Sequence, residues 1–227
     1  MTGIAVRLEL VRDRIAAACA RAGRDPGSVR LIAVSKTVPV AGVAEALAAG
    51  QTLFGENRVQ EALAKMAEAG PAATWHLVGH LQKNKARHAA GAFELIHGID
   101  DPELASELDR RAAARSMTQS VLVQANLSGE ATKRGSDEDG LMPLLTTVAG
   151  LPHLDLLGLM IIPPPVDDPE LSRPWFRRLK ELRDRAASIL ARPLPELSMG
   201  MTDDFEVAIE EGATLVRIGR AIFGERA

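Results

Sequence analysis

Tyrosine is absent from all 227 residues of this chain, and aromatic residues of every kind make up only 3%. Any reaction that needs a tyrosine acid or base is therefore excluded unless a partner supplies one. Cysteine occurs once, as Cys19. An internal disulfide is ruled out; Cys19 falls in a helical pattern as a small buried residue, and the chain reads as intracellular, with the cytoplasm as the expected compartment. No uncharged apolar run reaches the length of a membrane span. The N-terminus carries Arg7, Glu9, Arg12 and Asp13 within a helical repeat, which argues against a secretory leader. Neither sign of charge dominates, the formal net charge being −3, so a nucleic-acid surface is not expected. Gly/Ser tracts and charge blocks that would mark a linker are lacking, and one domain over 1–227 is expected. No His/Cys/carboxylate set has metal-ligand spacing.

What is present is a regular alternation. Ile4, Leu8, Val11 and Ile15, with Cys19 next, recur at helical spacing and predict an amphipathic N-terminal helix ending near Gly23. Beyond it, strand-like runs fall at 29–35, 52–54, 74–78, 93–96, 120–125, 154–160, 196–198 and 214–218. Helical patterns occupy 40–49, 56–69, 84–90, 102–115, 137–149, 169–190 and 203–211. Asp101-Pro102 is a good cap followed by proline at the first helical position, and Gly50, Gly91, Gly150 and Gly212 stand at helix ends. Strand-then-helix alternation predicts a parallel sheet. Eight units in about 200 residues match a single closed (β/α)8 barrel of the TIM type, here with an extra N-terminal helix. An open doubly wound sheet is the alternative, but the turn after the first strand, Lys36-Thr37-Val38-Pro39, has no G-x-G-x-x-G.

In a barrel the C-terminal strand ends share one face and build the site. The first of them ends at Lys36. An amine in an apolar setting has its charged form disfavoured and becomes nucleophilic, the state needed to form a Schiff base with an aldehyde. On spacing alone, a strand-end lysine reaching solvent is the plainer reading. The last two strand ends favour the other. Ser198-Met199-Gly200 offers a hydroxyl and backbone N–H groups, and Gly219-Arg220-Ala221 opens a helical turn suited to an anion. Arg217 is flanked by Val216 and Ile218, so alternation points it into the barrel mouth, toward an aromatic nitrogen, a phosphate or a barrel carboxylate. A Schiff-base lysine facing a phosphate cup suggests pyridoxal 5′-phosphate (PLP), which carries both an aldehyde and a phosphate.

The segments Ala33-Val34-Ser35-Lys36-Thr37, Phe54-Gly55-Glu56-Asn57, 75–85, 198–204 and 216–224 together closely resemble the pyridoxal phosphate homeostasis family (YggS/PROSC), in order and over nearly the whole chain. The resemblance implies a barrel similar to the N-terminal domain of alanine racemase, with PLP held as an internal aldimine on Lys36. It implies that Ser198, Gly200, Gly219 and Arg220 hold the phosphate. It also implies that Arg217 faces the pyridine nitrogen, and it offers Asn57 and Met199 as pocket-lining residues. Arg58 stands where the family often has an aromatic residue, and Ile161 where a smaller residue often precedes Ile162.

Racemases of this likeness use a lysine and a tyrosine on opposite faces of the cofactor, the tyrosine coming from a separate domain. With no tyrosine, and with the chain ending soon after Arg217, the expectation is a non-catalytic, monomeric carrier or buffer of PLP that serves vitamin B6 homeostasis and meets PLP-dependent apo-enzymes transiently. A weak racemase using His80 or His97, and a barrel aldolase using Lys36, are the alternatives. The basic turn Lys83-Asn84-Lys85 is a solvated face or a transient second phosphate site, and the loop 128–135 is a candidate lid.

Overall fold

A computed structural model describes residues 3–130 and 134–224 of the protein. Strands β1 (Arg30–Val34), β2 (Leu53–Glu56), β3 (Thr74–Leu77), β4 (Leu95–Ile99), β5 (Gln119–Ala125), β6 (Leu154–Ile161), β7 (Glu196–Ser198) and β8 (Leu215–Ile218) close in chain order into a barrel. Every neighbouring pair is parallel, including β8 with β1. The helices among the described residues are α1 (Ile4–Arg21), α2 (Val40–Ala48), α3 (Val59–Ala69), α4 (Ala86–Ala89), α5 (Pro102–Ala113), α6 (Glu138–Ala149), α7 (Arg173–Ile189), α8 (Phe205–Glu210) and α9 (Arg220–Phe223). The barrel and the extra N-terminal helix are as the alternation predicts.

Strands buried on both faces build two apolar layers. The inner one is small: Ile32, Val34, Val78, Leu95, Leu122, Met160 and Leu215. The outer layer joins outward strand residues such as Phe54, Ile96, Leu197 and Met199 to inward helix residues such as Leu8, Leu104 and Phe176. Because side chains alternate along a strand, inner residues set the parity for their neighbours two positions away. Val78 thus puts His76 on the inner face, Leu95 puts His97 there, and Leu215 puts Arg217 there.

Boundaries differ from the sequence pattern in places with local causes. β2 runs on to Glu56 because Gly55 and Glu56 complete the ladder with His76 and Leu77, so α3 starts at Val59. β4 reaches Ile99, which pairs with Val123 across a register shift. The helix expected at 84–90 divides into a 3-10 turn, Lys83–Lys85, and the short α4. The one expected at 169–190 opens as a 3-10 turn, Pro169–Ser172, capped by the Asp168 side chain. α7 then starts at Arg173, which leaves Pro174 in its first turn, where proline is tolerated. Among the described residues no helix is long and apolar enough to cross a membrane. Of the loop 128–135, residues 131–133 lie outside the described residues.

Candidate functional site

A cavity of about 510 Å³ opens at the C-terminal ends of the strands. Val34, Val78 and Ile162 give it apolar walls. Of the residues expected from sequence, Lys36, Asn57, Arg217, Gly219 and Arg220 line it together. Ile162, in the segment that departs from the family pattern, is part of the wall, whereas Arg58 is exposed at the start of α3.

Lys36 sits in the turn that follows β1, half-buried, and the next residue, Thr37, adopts a left-handed conformation with φ of 63°. That conformation is uncommon for a non-glycine residue, and a buried polar clamp fixes it from below. The Thr37 N–H donates to Glu61 Oε1 at 2.7 Å. Lys65 Nζ donates to the Ser35 carbonyl at 2.6 Å and to Glu56 Oε1 at 2.6 Å, and reaches Glu61 Oε1 at 3.0 Å. The Ser35 hydroxyl donates to Glu56 Oε1 at 2.7 Å. Burial raises the Glu56 carboxyl above its ordinary range, and the bonds from Lys65 and Ser35 only partly offset this. Glu61 moves the other way: against its partial burial, the Thr37 N–H and Lys65 hold it low.

Arg217 projects from β8 and is almost fully enclosed. It donates to Ser198 Oγ at 2.7 Å and to the Ile161 carbonyl at 2.9 Å, so its anchors are neutral oxygens rather than the barrel carboxylate the sequence allowed. Burial pushes its guanidinium down to about 10, with Asp204 the opposing charge, and it stays cationic at neutral pH. At the rim, Arg220 holds Asp203 at 2.5 and 2.6 Å in an exposed ion pair. Asp203 is thus a partner of Arg220, while α8 begins after Asp204.

The other expected residues stand elsewhere. Ser198 is fully buried, and its hydroxyl is engaged by Arg217 and by His97 Nδ1 at 2.8 Å, so it anchors the arginine and does not line the cavity. Met199 alternates outward from β7 into the layer under the helices, and strand parity excludes it from the cavity wall. Gly200 also lies off the wall. Its φ is 90°, and a Cβ there would stand 2.6 Å from Ala208 Cβ and 2.9 Å from Phe205 Cα. Only glycine allows that turn, which swings Met201, Thr202 and Asp203 to the cavity. Met201 and Thr202 were not singled out from sequence, and Asp203 was read there as the start of the helical pattern 203–211. The available signal was a hydroxyl residue two positions past a turn glycine.

His80 and His97, the expected alternatives for a second base, do not line the cavity. His80 Nδ1 lies 3.3 Å from Asp100 Oδ2, and His97 is fully buried within the barrel. Lys83, in the basic turn, pairs with Glu103 at 2.7 Å on the surface. Among the described residues no group of acidic, His or Cys side chains has the arrangement of a metal site. An amine, a buried guanidinium, a threonine hydroxyl and a rim arginine between apolar walls suit a small planar ligand with a carbonyl and an anionic group.

Known proteins agree in kind. The family described as alanine racemase, N-terminal domain, matches residues 6–227. The pyridoxal phosphate homeostasis protein of Aquifex aeolicus is 47% identical over 221 residues, 97% of each chain. This chain belongs to the pyridoxal phosphate homeostasis family. Among solved structures, this family member superposes on PipY of Synechococcus elongatus PCC7942, determined with PLP bound, with a TM-score of 0.86 at 39% identity, covering 97% of this chain and 100% of that one. Alanine racemase from Corynebacterium glutamicum shares the fold, with a TM-score of 0.68 at 18% identity, over 96% of this chain and 62% of the racemase.

Proposed function

We propose that this homeostasis-family chain is a non-catalytic PLP-binding protein that carries or buffers the cofactor at the barrel mouth and so maintains intracellular vitamin B6. The observation that carries the reading is the convergence of Lys36, Arg217 and Arg220 on one cavity, in a chain related end to end to proteins of that name. PLP supplies an aldehyde, a pyridine ring and a phosphate. Lys36 is the amine that captures the aldehyde, held in place by the clamp of Glu56, Glu61 and Lys65 beneath its turn. Val34, Val78 and Ile162 exclude water from the ring faces. Arg217 presents a permanent donor to the ring nitrogen. Because a guanidinium does not give up its proton near neutral pH, that nitrogen stays unprotonated and the ring is a poor electron sink. Thr202, Gly219 and Arg220 take the phosphate, with Asp203 yielding Arg220 to it.

Racemization needs a second base on the face opposite Lys36. The chain has no tyrosine, and neither His80 nor His97 lines the cavity. In this reading the protein works as a single barrel domain, monomeric and cytoplasmic, and gives up its cofactor to apo-enzymes in transient encounters. The test is reduction of the PLP-loaded protein with borohydride followed by peptide mapping. The expected label is on Lys36, and incubation with single amino-acid enantiomers should give no sustained conversion. A label confined to other lysines, or many turnovers lost in Lys36→Ala, overturns the proposal.

A further inference from the structure

A column of linked polar side chains runs through the interior of the barrel, and the binding chemistry described above does not account for it. It starts at Arg217 in the cavity. A guanidinium has only donors, so Ser198 Oγ must accept from it. Ser198 is fully buried, and among the described residues the one acceptor its hydrogen can reach is His97 Nδ1, 2.8 Å away. His97 Nδ1 is therefore the acceptor, and its proton sits on Nε2, which faces His76 Nδ1 at 3.0 Å. His76 in turn carries its proton on Nε2, toward Glu94 Oε1 at 3.3 Å. Glu94 lies just before β4, at the opposite end of the strands, with its side chain 53% exposed. All donors run one way, from the cation in the cavity to the carboxylate at the far mouth, and each link polarises the next.

The direction holds only while both imidazoles are neutral, since a charged ring has no acceptor nitrogen. Both rings are fully buried. Burial keeps His76 down at about 4, with Glu94 and Glu196 pulling it up and Arg30 pushing it down. His97 is held well below its ordinary value by burial, aided by His76, Arg217 and Arg30.

We infer that His97 is a positioning residue for the cavity: acting through Ser198, it fixes the plane of the Arg217 guanidinium against the ring edge of the bound ligand. Without the His97 acceptor the Ser198 hydroxyl turns freely, and Arg217 keeps only the Ile161 carbonyl as a fixed anchor. The inference rests on the PLP reading for the identity of that ring edge. The tautomer of His97 does not depend on it.

Two measurements test the inference. The first is nitrogen NMR of the ligand-free protein with labelled histidine. His97 is expected neutral at pH 7 with its proton on Nε2; a charged His97, or one protonated on Nδ1, overturns the inference. The second compares binding of PLP with that of an analogue keeping the aldehyde and phosphate but carrying C–H in place of the ring nitrogen. His97→Leu should weaken PLP about tenfold and change the analogue by less than about twofold, and His97→Asn, which returns an acceptor near the place of Nδ1, should recover most of the loss. Equal losses for both ligands, or none for either, overturn the inference by showing a merely structural role. If His97→Leu does not fold, Ser198→Ala breaks the same link with a smaller change and is read by the same comparison. A wild-type protein that takes up neither ligand overturns the cofactor reading, and the His97 tautomer alone then decides the column.

Discussion

Lys65 and Glu56 lie where charged residues are rarely found. Their side chains are 7% and 0% exposed and meet at 2.6 Å. Two buried charges in contact are worth little against a well-packed apolar pair, but removing one leaves the other stranded. Glu56 Oε2 already has no hydrogen-bond partner among the described residues. Lys65→Met should therefore lower stability by about 3–5 kcal/mol in urea unfolding, and Lys65→Met with Glu56→Leu should lose clearly less than the single variant. A single variant that loses under about 1 kcal/mol would mean that Glu56 is neutral or reached by water. The clamp was not legible in the sequence. The helical pattern 56–69 places Glu56 at its opening and Lys65 inside it, with nothing in the sequence to bring the two together. Only closure of β2 against β3 buries the one, and only the docking of α3 brings the other to it. Lys36 was legible because an apolar run ends there and Pro39 follows, a signal that needs no tertiary contact.

α1 shows what periodicity can and cannot give. Ile4, Leu8, Val11, Ile15 and Cys19 form its buried face, as the spacing predicts, and Ala18 joins them. That face packs on α2, α8 and α9. Arg14 strengthens the docking, pairing with Glu206 at 2.7 Å and standing 4.5 Å from the centre of the Phe205 ring. Leu8→Ala removes a fully buried side chain and should cost about 2–5 kcal/mol, whereas Leu10→Ala, at 55% exposure, should change stability by less than about 0.5 kcal/mol. Denaturant titration of the two variants checks the orientation; equal effects would mean that the helix turns another face to the barrel. Elements with a long apolar stripe were thus readable in place and in phase. Shorter ones were not. β7 spans only Glu196–Ser198, too few residues for alternation to show which of Ser198 and Met199 faces inward. The ladder with β6 and β8 decides that, sending the serine to Arg217 and the methionine to the outer core.

The barrel as a whole ties its acid response to the column inside it. An imidazole in the unfolded chain takes up a proton near pH 6.5, but the fold keeps His76 neutral to about pH 4. Between these values the unfolded state binds more protons, so this contribution to stability is complete above pH 6.5 and is lost as the pH falls toward 4. His97, held lower still, adds loss in the same direction. Glu56, Asp100 and Asp204 act oppositely: burial raises each of them, so they protonate in the fold before they do in the unfolded chain and favour the fold as the pH drops. The sum over the chain hides the histidines, and a difference between variants isolates them. His76→Gln removes one titrating group from the column, so its loss of stability between pH 6.5 and 4 should be shallower than that of the wild type. The slopes should differ by up to about 1.4 kcal/mol per pH unit, the value for one proton. Urea unfolding of both proteins at half-unit steps across that window measures the difference, and the height of each curve, which also carries the packing cost of the substitution, does not enter. Superimposable slopes would mean that His76 is already protonated in the fold, in which case its Nδ1 would have no lone pair for His97, and the one-way run of donors to Arg217 would be broken at its middle link.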